Sequence, residues 1–141
     1  METKLFVATK AIIRNKEGKI LILRERASVD STQTGIYTIP GGRIHPDESY
    51  RDGLMREVWE ECGLVIETRE IVAIGEWWPT PRGESWHVVA LFFACDTHEE
   101  PVVVLSEEHD MFAWIDPVEY KKSGLVETEH HVIEKYLQYK K

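Results

Sequence analysis

The stretch Trp86 to Cys95, WHVVALFFAC, is almost continuously apolar, and a strand of that kind is stable where both of its faces are covered. The chain must therefore supply a layer on each side of its central sheet, which asks for more than one helix. Two segments answer. One runs from about Glu48 to Cys62 and ends at Gly63, a residue free to take the left-handed helix-stop conformation. The other runs from about Glu127 to Tyr139 and sets Val132, Ile133, Tyr136 and Leu137 at helical spacing for burial. The remaining apolar runs read as strands. Leu5 to Asn15 and Lys19 to Leu23 form a hairpin through the turn Asn15-Lys16-Glu17-Gly18. After a small, polar loop from Ala27 to Gly35, Ile36 to Ile39 makes a short strand stopped by Pro40-Gly41-Gly42. Leu64 to Trp78 suits one long or bent strand broken at Pro79 to Gly83, Val102 to Leu105 and Met111 to Ile115 are short strands, and Asp116-Pro117 starts a helix. The expectation is an α/β fold, a mixed sheet between helical layers, built by residues 1–141 as a single domain.

Charge narrows the function. Lys and Arg total 17 against 25 Asp and Glu, a formal charge of -8. That balance disfavours a nucleic-acid polymer as partner. No apolar run approaches bilayer length and the N-terminus lacks the pattern of a leader, so no membrane partner and a cytoplasmic location are expected. Cys62 and Cys95 have no C-x-x-C partner and suggest neither a zinc site nor a redox pair.

The chemistry gathers on the first helix. Residues three and four apart share a face, so Glu57, Glu60 and Glu61 project together, while Leu54, Val58 and Cys62 make an adjoining stripe that can anchor the helix to a sheet. Like charges this close repel, and oxygen-rich clusters of this kind bind hard divalent cations such as Mg2+ or Mn2+. A solvated acidic face is the alternative that spacing alone leaves open. Gly53 falls on the carboxylate side, where a missing side chain lets a bulky ligand approach or is simply a tolerated helix glycine.

The full spacing goes further. Gly42, five residues, Glu48, seven residues, then Arg56-Glu57-Val58-Trp59-Glu60-Glu61-Cys62-Gly63-Leu64 match the Nudix box, G-x5-E-x7-R-E-U-x-E-E-x-G-U, at every specified position. The chain thus resembles the Nudix hydrolases, in a compact MutT-like form, and the order of its flanking elements extends the likeness over most of its length. The resemblance implies an α/β/α sandwich and Mg2+- or Mn2+-dependent hydrolysis of a nucleoside diphosphate linked to another moiety, by water attack at phosphorus. It makes Glu57, Glu60 and Glu61 the metal-binding carboxylates, with the carbonyl of Gly41 as a further ligand. It makes Glu48 and Arg56 an ion pair steadying loop and helix, with Gly42 and Gly63 as further structural support. The general base is Glu57 or a glutamate in the later loop, Glu108, with Glu107 its close rival.

Beyond the box, Arg26, following Lys19 to Leu23, is the choice for binding phosphate, with Arg24 nearby. Tyr37, Trp77, Trp78, Trp86 and His87 are the aromatic candidates for base stacking, of which Tyr37, Trp78 and His87 are carried forward. The chain leaves little room for the added N-terminal dimerisation domain that many ADP-ribose-cleaving relatives carry, so the resemblance implies a (d)NTP or oxidised (d)NTP as the small-molecule substrate, cleaved to monophosphate and pyrophosphate by a monomer or homodimer. Pro79, which stands near where ADP-ribose-hydrolysing members have a proline, keeps ADP-ribose or a nucleotide sugar as the second reading. A non-catalytic nucleotide-binding module is the third, disfavoured because every box carboxylate is present.

Overall fold

The computed structural model describes residues 2–26, 35–98 and 100–140. Nine elements organise them: β1 (Thr3–Arg14), β2 (Ile20–Glu25), β3 (Tyr37–Thr38), β4 (Gly41–Arg43), α1 (Tyr50–Cys62), β5 (Ile66–Trp77), β6 (Ser85–Thr97), β7 (His109–Ile115) and α2 (His130–Tyr139). Among the described residues the strands form one mixed sheet in the order β3-β2-β1-β6-β5, with β4 also on β1 and β7 also on β2. Its spine is the parallel pairing of β1 with β6, in unbroken register from Thr3↔Ser85 to Arg14↔Asp96.

Along that spine successive side chains alternate between faces. Ala8, Ile12, Val88, Ala90 and Phe92 join Val132, Ile133 and Tyr136 of α2 in one core. Ala11, Ile13, Phe93 and Cys95 join Leu54, Val58 and Cys62 of α1 in the other. Both faces are therefore covered, which is what the unbroken apolar run of β6 demands, and the α/β/α layering follows. None of the helices among the described residues is long and apolar enough to cross a membrane.

Several local expectations change. The residues expected to stop a strand, Gly41 and Gly42, begin one themselves: β4 pairs antiparallel with Ala8 to Lys10, and Ala11 N–H donates to the Pro40 carbonyl. Val102 to Leu105 alternates like a strand, with Val103 and Leu105 packed on the α1 side and Val102 and Val104 exposed. Its backbone partners, however, are the end of α1: Val104 N–H donates to Cys62 O and Ser106 N–H to Glu61 O. Asp116 caps only a 3-10 turn, Pro117–Lys122, accepting from Val118 N–H, and α2 starts at His130 after a 3-10 turn at Glu127–Glu129. The polar loop expected from Ala27 lies, up to residue 34, outside the described residues.

Gly41 has φ 140°, and a Cβ there would sit 2.1 Å from the Thr9 carbonyl oxygen. Gly18, at φ 81° in the hairpin turn, has nothing within 4 Å of that position. Gly41→Ala is expected to lower unfolding stability by about 3 kcal/mol or more, and Gly18→Ala by about 1 kcal/mol. Equal shifts of the denaturant midpoint in the two variants would contradict the close approach of β4 to β1.

Candidate active site

Helix α1 is fixed at both ends. The Ser49 hydroxyl oxygen accepts from Asp52 N–H at 3.1 Å, and Gly63, at φ 67°, donates its N–H to Trp59 O. With Leu54, Val58 and Cys62 fully buried against the sheet, the carboxylate flank turns toward the strands. Glu57 and Glu61 reach a cleft of about 630 Å3, whereas Glu60, with its side chain 53% exposed, stays outside its lining.

Two glycines let these carboxylates in. A Cβ on Gly42 would lie 2.6 Å from a Glu57 carboxylate oxygen, and Gly41 N–H donates to Glu61 Oε1 at 2.8 Å. Gly53 does something other than admit a ligand: it is buried, and a Cβ there would meet Ile44 at 2.6 Å and Glu48 Oε1 at 3.0 Å. It makes room for the loop before the helix. That loop is tied down by Arg56, whose Nε and Nη2 donate to the two oxygens of Glu48 at 3.1 and 2.7 Å and whose Nη2 also donates to Arg43 O. Nη1 of the same guanidinium donates to Glu57 and Glu60. Arg56, helped by the N–H of His45, holds the Glu48 carboxyl down at about 2.

Charge is strained deeper in. Burial pushes the Glu61 carboxyl up to about 8, against the opposing pull of Gly41 N–H and the Lys10 ammonium. Burial also raises Glu57, with Arg56 opposing. Lys10 lines the cleft but is already matched, its Nζ 3.0 Å from Glu129 Oε2 in a nearly buried pair, while Glu129 Oε1 accepts from Ile39 N–H. A buried carboxyl this far from its ordinary value, facing a cleft, fits a site built for an added positive charge. The donor set fits a divalent cation in the same way.

Arg26 and Glu108 line the same cleft. Arg26 Nε donates to Glu107 O at 2.8 Å and Arg26 N–H to Glu108 O, so β2 and the approach to β7 hold each other. Of the two loop glutamates, Glu108 lines the cleft and Glu107 does not. Arg24 faces away, paired with Asp110 at 2.8 Å. Arg43 presents a second guanidinium, 4.3 Å from the Phe6 ring and 4.4 Å from the Trp86 ring.

The aromatic candidates divide by strand parity. Trp77 and Val88 are register partners, and with Trp86 they line the cleft. Trp78 and His87 fall on the opposite face, where their rings stack at 4.6 Å and Glu76 sits 2.8 Å from His87 Nε2. Tyr37 packs on the α2-side core against Gly124. The structure thus brings Glu57, Glu61, Glu108, Arg26, Gly41 and Gly42 to one cleft and leaves Tyr37, Trp78 and His87 outside it. Lys10, Arg43 and His109, which sequence reasoning passed over, line the cleft as well. Only Arg43 carried a sequence signal, directly following the paired glycines.

A family model for the NUDIX domain matches residues 4–136. Among curated proteins, the CTP pyrophosphohydrolase of Escherichia coli is 29% identical over 137 residues, covering 95% of this chain and 93% of its own. A MutT-like protein of Streptomyces ambofaciens is 31% identical over 113 residues, 80% of this chain and 65% of its own. Among solved structures, the MutT protein of Methanosarcina mazei superposes with a TM-score of 0.80 at 27% identity, covering 100% of this chain and 99% of that one.

The raised Glu61 carboxyl makes stability depend on pH through one proton. In metal-free protein the folded chain keeps this proton up to about pH 8, whereas the unfolded chain releases it near the ordinary 4.5. The folded state therefore binds more protons in that window, and its stability falls as pH rises from about 4.5 to about 8. Glu61→Gln is expected to remove that part of the slope in denaturant midpoints measured between pH 5 and pH 8. An unchanged slope in the variant would contradict the burial of this carboxyl.

Proposed function

The chain belongs to the Nudix family of hydrolases, and from that premise we propose that it is a divalent-cation-dependent pyrophosphohydrolase cleaving a nucleoside triphosphate to monophosphate and pyrophosphate. The observation that carries this reading is convergence. Glu57 and Glu61 from α1 and Glu108 from the approach to β7 meet in one cleft whose walls also offer Arg26 and Arg43. Carboxylates and guanidinium groups lining one cleft suit a diphosphate that binds together with a divalent cation.

Glu57 and Glu61, with the Gly41 carbonyl, would hold Mg2+ or Mn2+ in the cleft, and Glu60, which lies outside its lining and accepts from Arg56, would turn inward to join them. When bound, the cation neutralises diphosphate charge and lowers the pKa of a coordinated water. The chain's own groups do the rest. Arg26 and Arg43 take phosphate oxygens, Arg43 already seated against the Phe6 and Trp86 rings, so little freedom is lost on binding. Glu108, exposed at the cleft wall, would accept the proton of the attacking water, the role that Glu57 fills in the alternative assignment. Glu48 and Arg56 act by holding the loop and helix in place. Trp77, with Pro79 beside it in the lining, offers a face for a nucleobase.

Similarity to the Escherichia coli CTP pyrophosphohydrolase puts pyrimidine triphosphates among the first substrates to try, beside dGTP and its oxidised form. The position of Pro79 on the cleft keeps ADP-ribose and nucleotide sugars as the second reading. Product analysis separates them. Wild-type protein and Glu61→Gln are incubated with (d)NTPs, 8-oxo-dGTP, ADP-ribose and nucleotide sugars, with Mg2+ and with chelator. Monophosphate plus pyrophosphate is the expected outcome, abolished by chelator and lowered about 100-fold or more in Glu61→Gln, because even residues behind a metal ligand are worth 10- to 100-fold. AMP plus ribose phosphate would move the assignment to the second reading. Nucleotide binding with no cleavage of any of these compounds would overturn the hydrolase assignment in favour of a binding module.

A further inference from the structure

His109 lines the cleft and has no task in the reaction described above. It opens β7, opposite Glu25 of β2 where the pairing shifts register, and its N–H donates to Ser106 O. Its side chain is not on the surface: the residue is 6% exposed, and Nδ1 is buried with no hydrogen-bond partner. Buried ring nitrogens are almost always satisfied, so an orphan of this kind signals a partner that the chain itself does not supply. The polar groups around it are informative. A ring nitrogen of His109 and one carboxylate oxygen from each of Glu61 and Glu108 lie within 4.8 Å of one another. Glu61 is held in place by Gly41 N–H, and the nearest ammonium, Lys10, is engaged with Glu129 and does not fill the gap.

We propose that Glu61, Glu108 and His109 form a mixed nitrogen–oxygen cation site that takes Mn2+ in preference to Mg2+, resting on the reading of this cleft as the cation site of a hydrolase. The chemistry follows from ligand type. Mg2+ takes oxygen ligands and keeps its waters, whereas Mn2+ stands higher in affinity for imidazole. A neutral imidazole is the form that ligates. The site is distinct in composition from the Glu57, Glu60 and Glu61 group, which offers oxygen alone. Glu61 belongs to both, so a cation on His109 and one on the box carboxylates share a ligand. Glu108, proposed above as the base, is then drawn to the cation in the Mn2+ form and is free in the Mg2+ form.

The test reads metal binding directly, on untagged protein without substrate. Mn2+ is titrated by the loss of its free-ion electron paramagnetic resonance signal, and the bound ion is examined by pulsed measurements for coupling to a directly ligated nitrogen. The expected result is nitrogen coupling at the first equivalent of Mn2+, altered when the protein is grown with [15N]histidine and absent in His109→Gln. Mn2+ affinity should fall about 10-fold in that variant, and Mg2+ affinity, read by competition, less than 2-fold. Because a buried histidine can be needed for folding, Glu108→Gln provides a second test at an exposed position. It keeps the nitrogen and should weaken Mn2+ by a similar factor. Mn2+ bound without nitrogen coupling, coupling that survives in folded His109→Gln, or full Mn2+ affinity in Glu108→Gln would each overturn the site. The proposed function stands or falls separately: Mg2+-dependent hydrolysis without nitrogen coupling sinks this site alone, and nitrogen-coupled Mn2+ without hydrolysis of any phosphoanhydride sinks the hydrolase reading alone.

Discussion

The guanidinium of Arg56 is the positive charge that offsets Glu57 and Glu60 on the helix face they share with Glu61. Glu57, Glu60 and Glu61 on adjacent turns would repel one another, at a cost of a few tenths of a kcal/mol per pair even in water. Arg56 donates to Glu57 and Glu60 through one nitrogen and grips Glu48 with the other two. The side chains of Arg56 and Glu48 are 24% and 16% exposed, so the pair is shielded enough to hold its geometry and is more than a surface ornament. Its Nη2 also reaches Arg43 O, which fixes the strand carrying Gly41 and Gly42 relative to α1. From that follow the bond between Gly41 N–H and Glu61, the close passage of Glu57 past Gly42, and the placement of Arg43 on the cleft wall.

The fold supplies the other half of the arrangement. Parallel pairing of β1 with β6 makes a central ribbon that needs cover on both faces, and α1 and α2 provide it. The cleft lies on the same face of the ribbon as α2, near its N-terminal part, where Ala8, Lys10, Trp86 and Val88 are lining residues. There the buried Lys10–Glu129 pair, with Glu129 also accepting from Ile39 N–H, joins the wall of the cleft to the approach to α2. The site is thus assembled from strands that share a sheet and from a helix clamped by one arginine. Its residues come from positions as far apart as Lys10 and His109, which only the sheet brings together.

Much of this was legible in the residues themselves. The helix carrying the glutamates, its stop at Gly63, its buried stripe and the hairpin at Asn15 to Gly18 are written in local spacing, and the whole run from Gly42 to Leu64 fits one motif. What was not legible depends on register. Trp77 and Trp78 are neighbours in sequence and face opposite sides of the sheet; choosing between them requires the register shifts between Thr68 and Ala73 in β5. Val102 to Leu105 has the alternation of a strand but pairs with a helix end, which no local pattern announces. Gly53, whose spacing left ligand clearance and a tolerated helix glycine both open, is clearance for Ile44 and Glu48, since the loop before the helix folds back on it. His109 has no motif to mark it, because its significance is the missing partner at Nδ1 and the two carboxylates brought beside it.

The most direct test of the central claim, that this cleft binds and cleaves a phosphoanhydride, is a structure of the protein with Mn2+ and a nucleoside triphosphate analogue whose bridging oxygens are replaced by non-hydrolysable groups. The account predicts cation density against Glu61, phosphates between the acidic helix and Arg26 and Arg43, and the base on the Trp77 side of the sheet. A nucleotide seated instead on the opposite face, at the stacked Trp78 and His87, with Glu57 and Glu61 untouched, would contradict it.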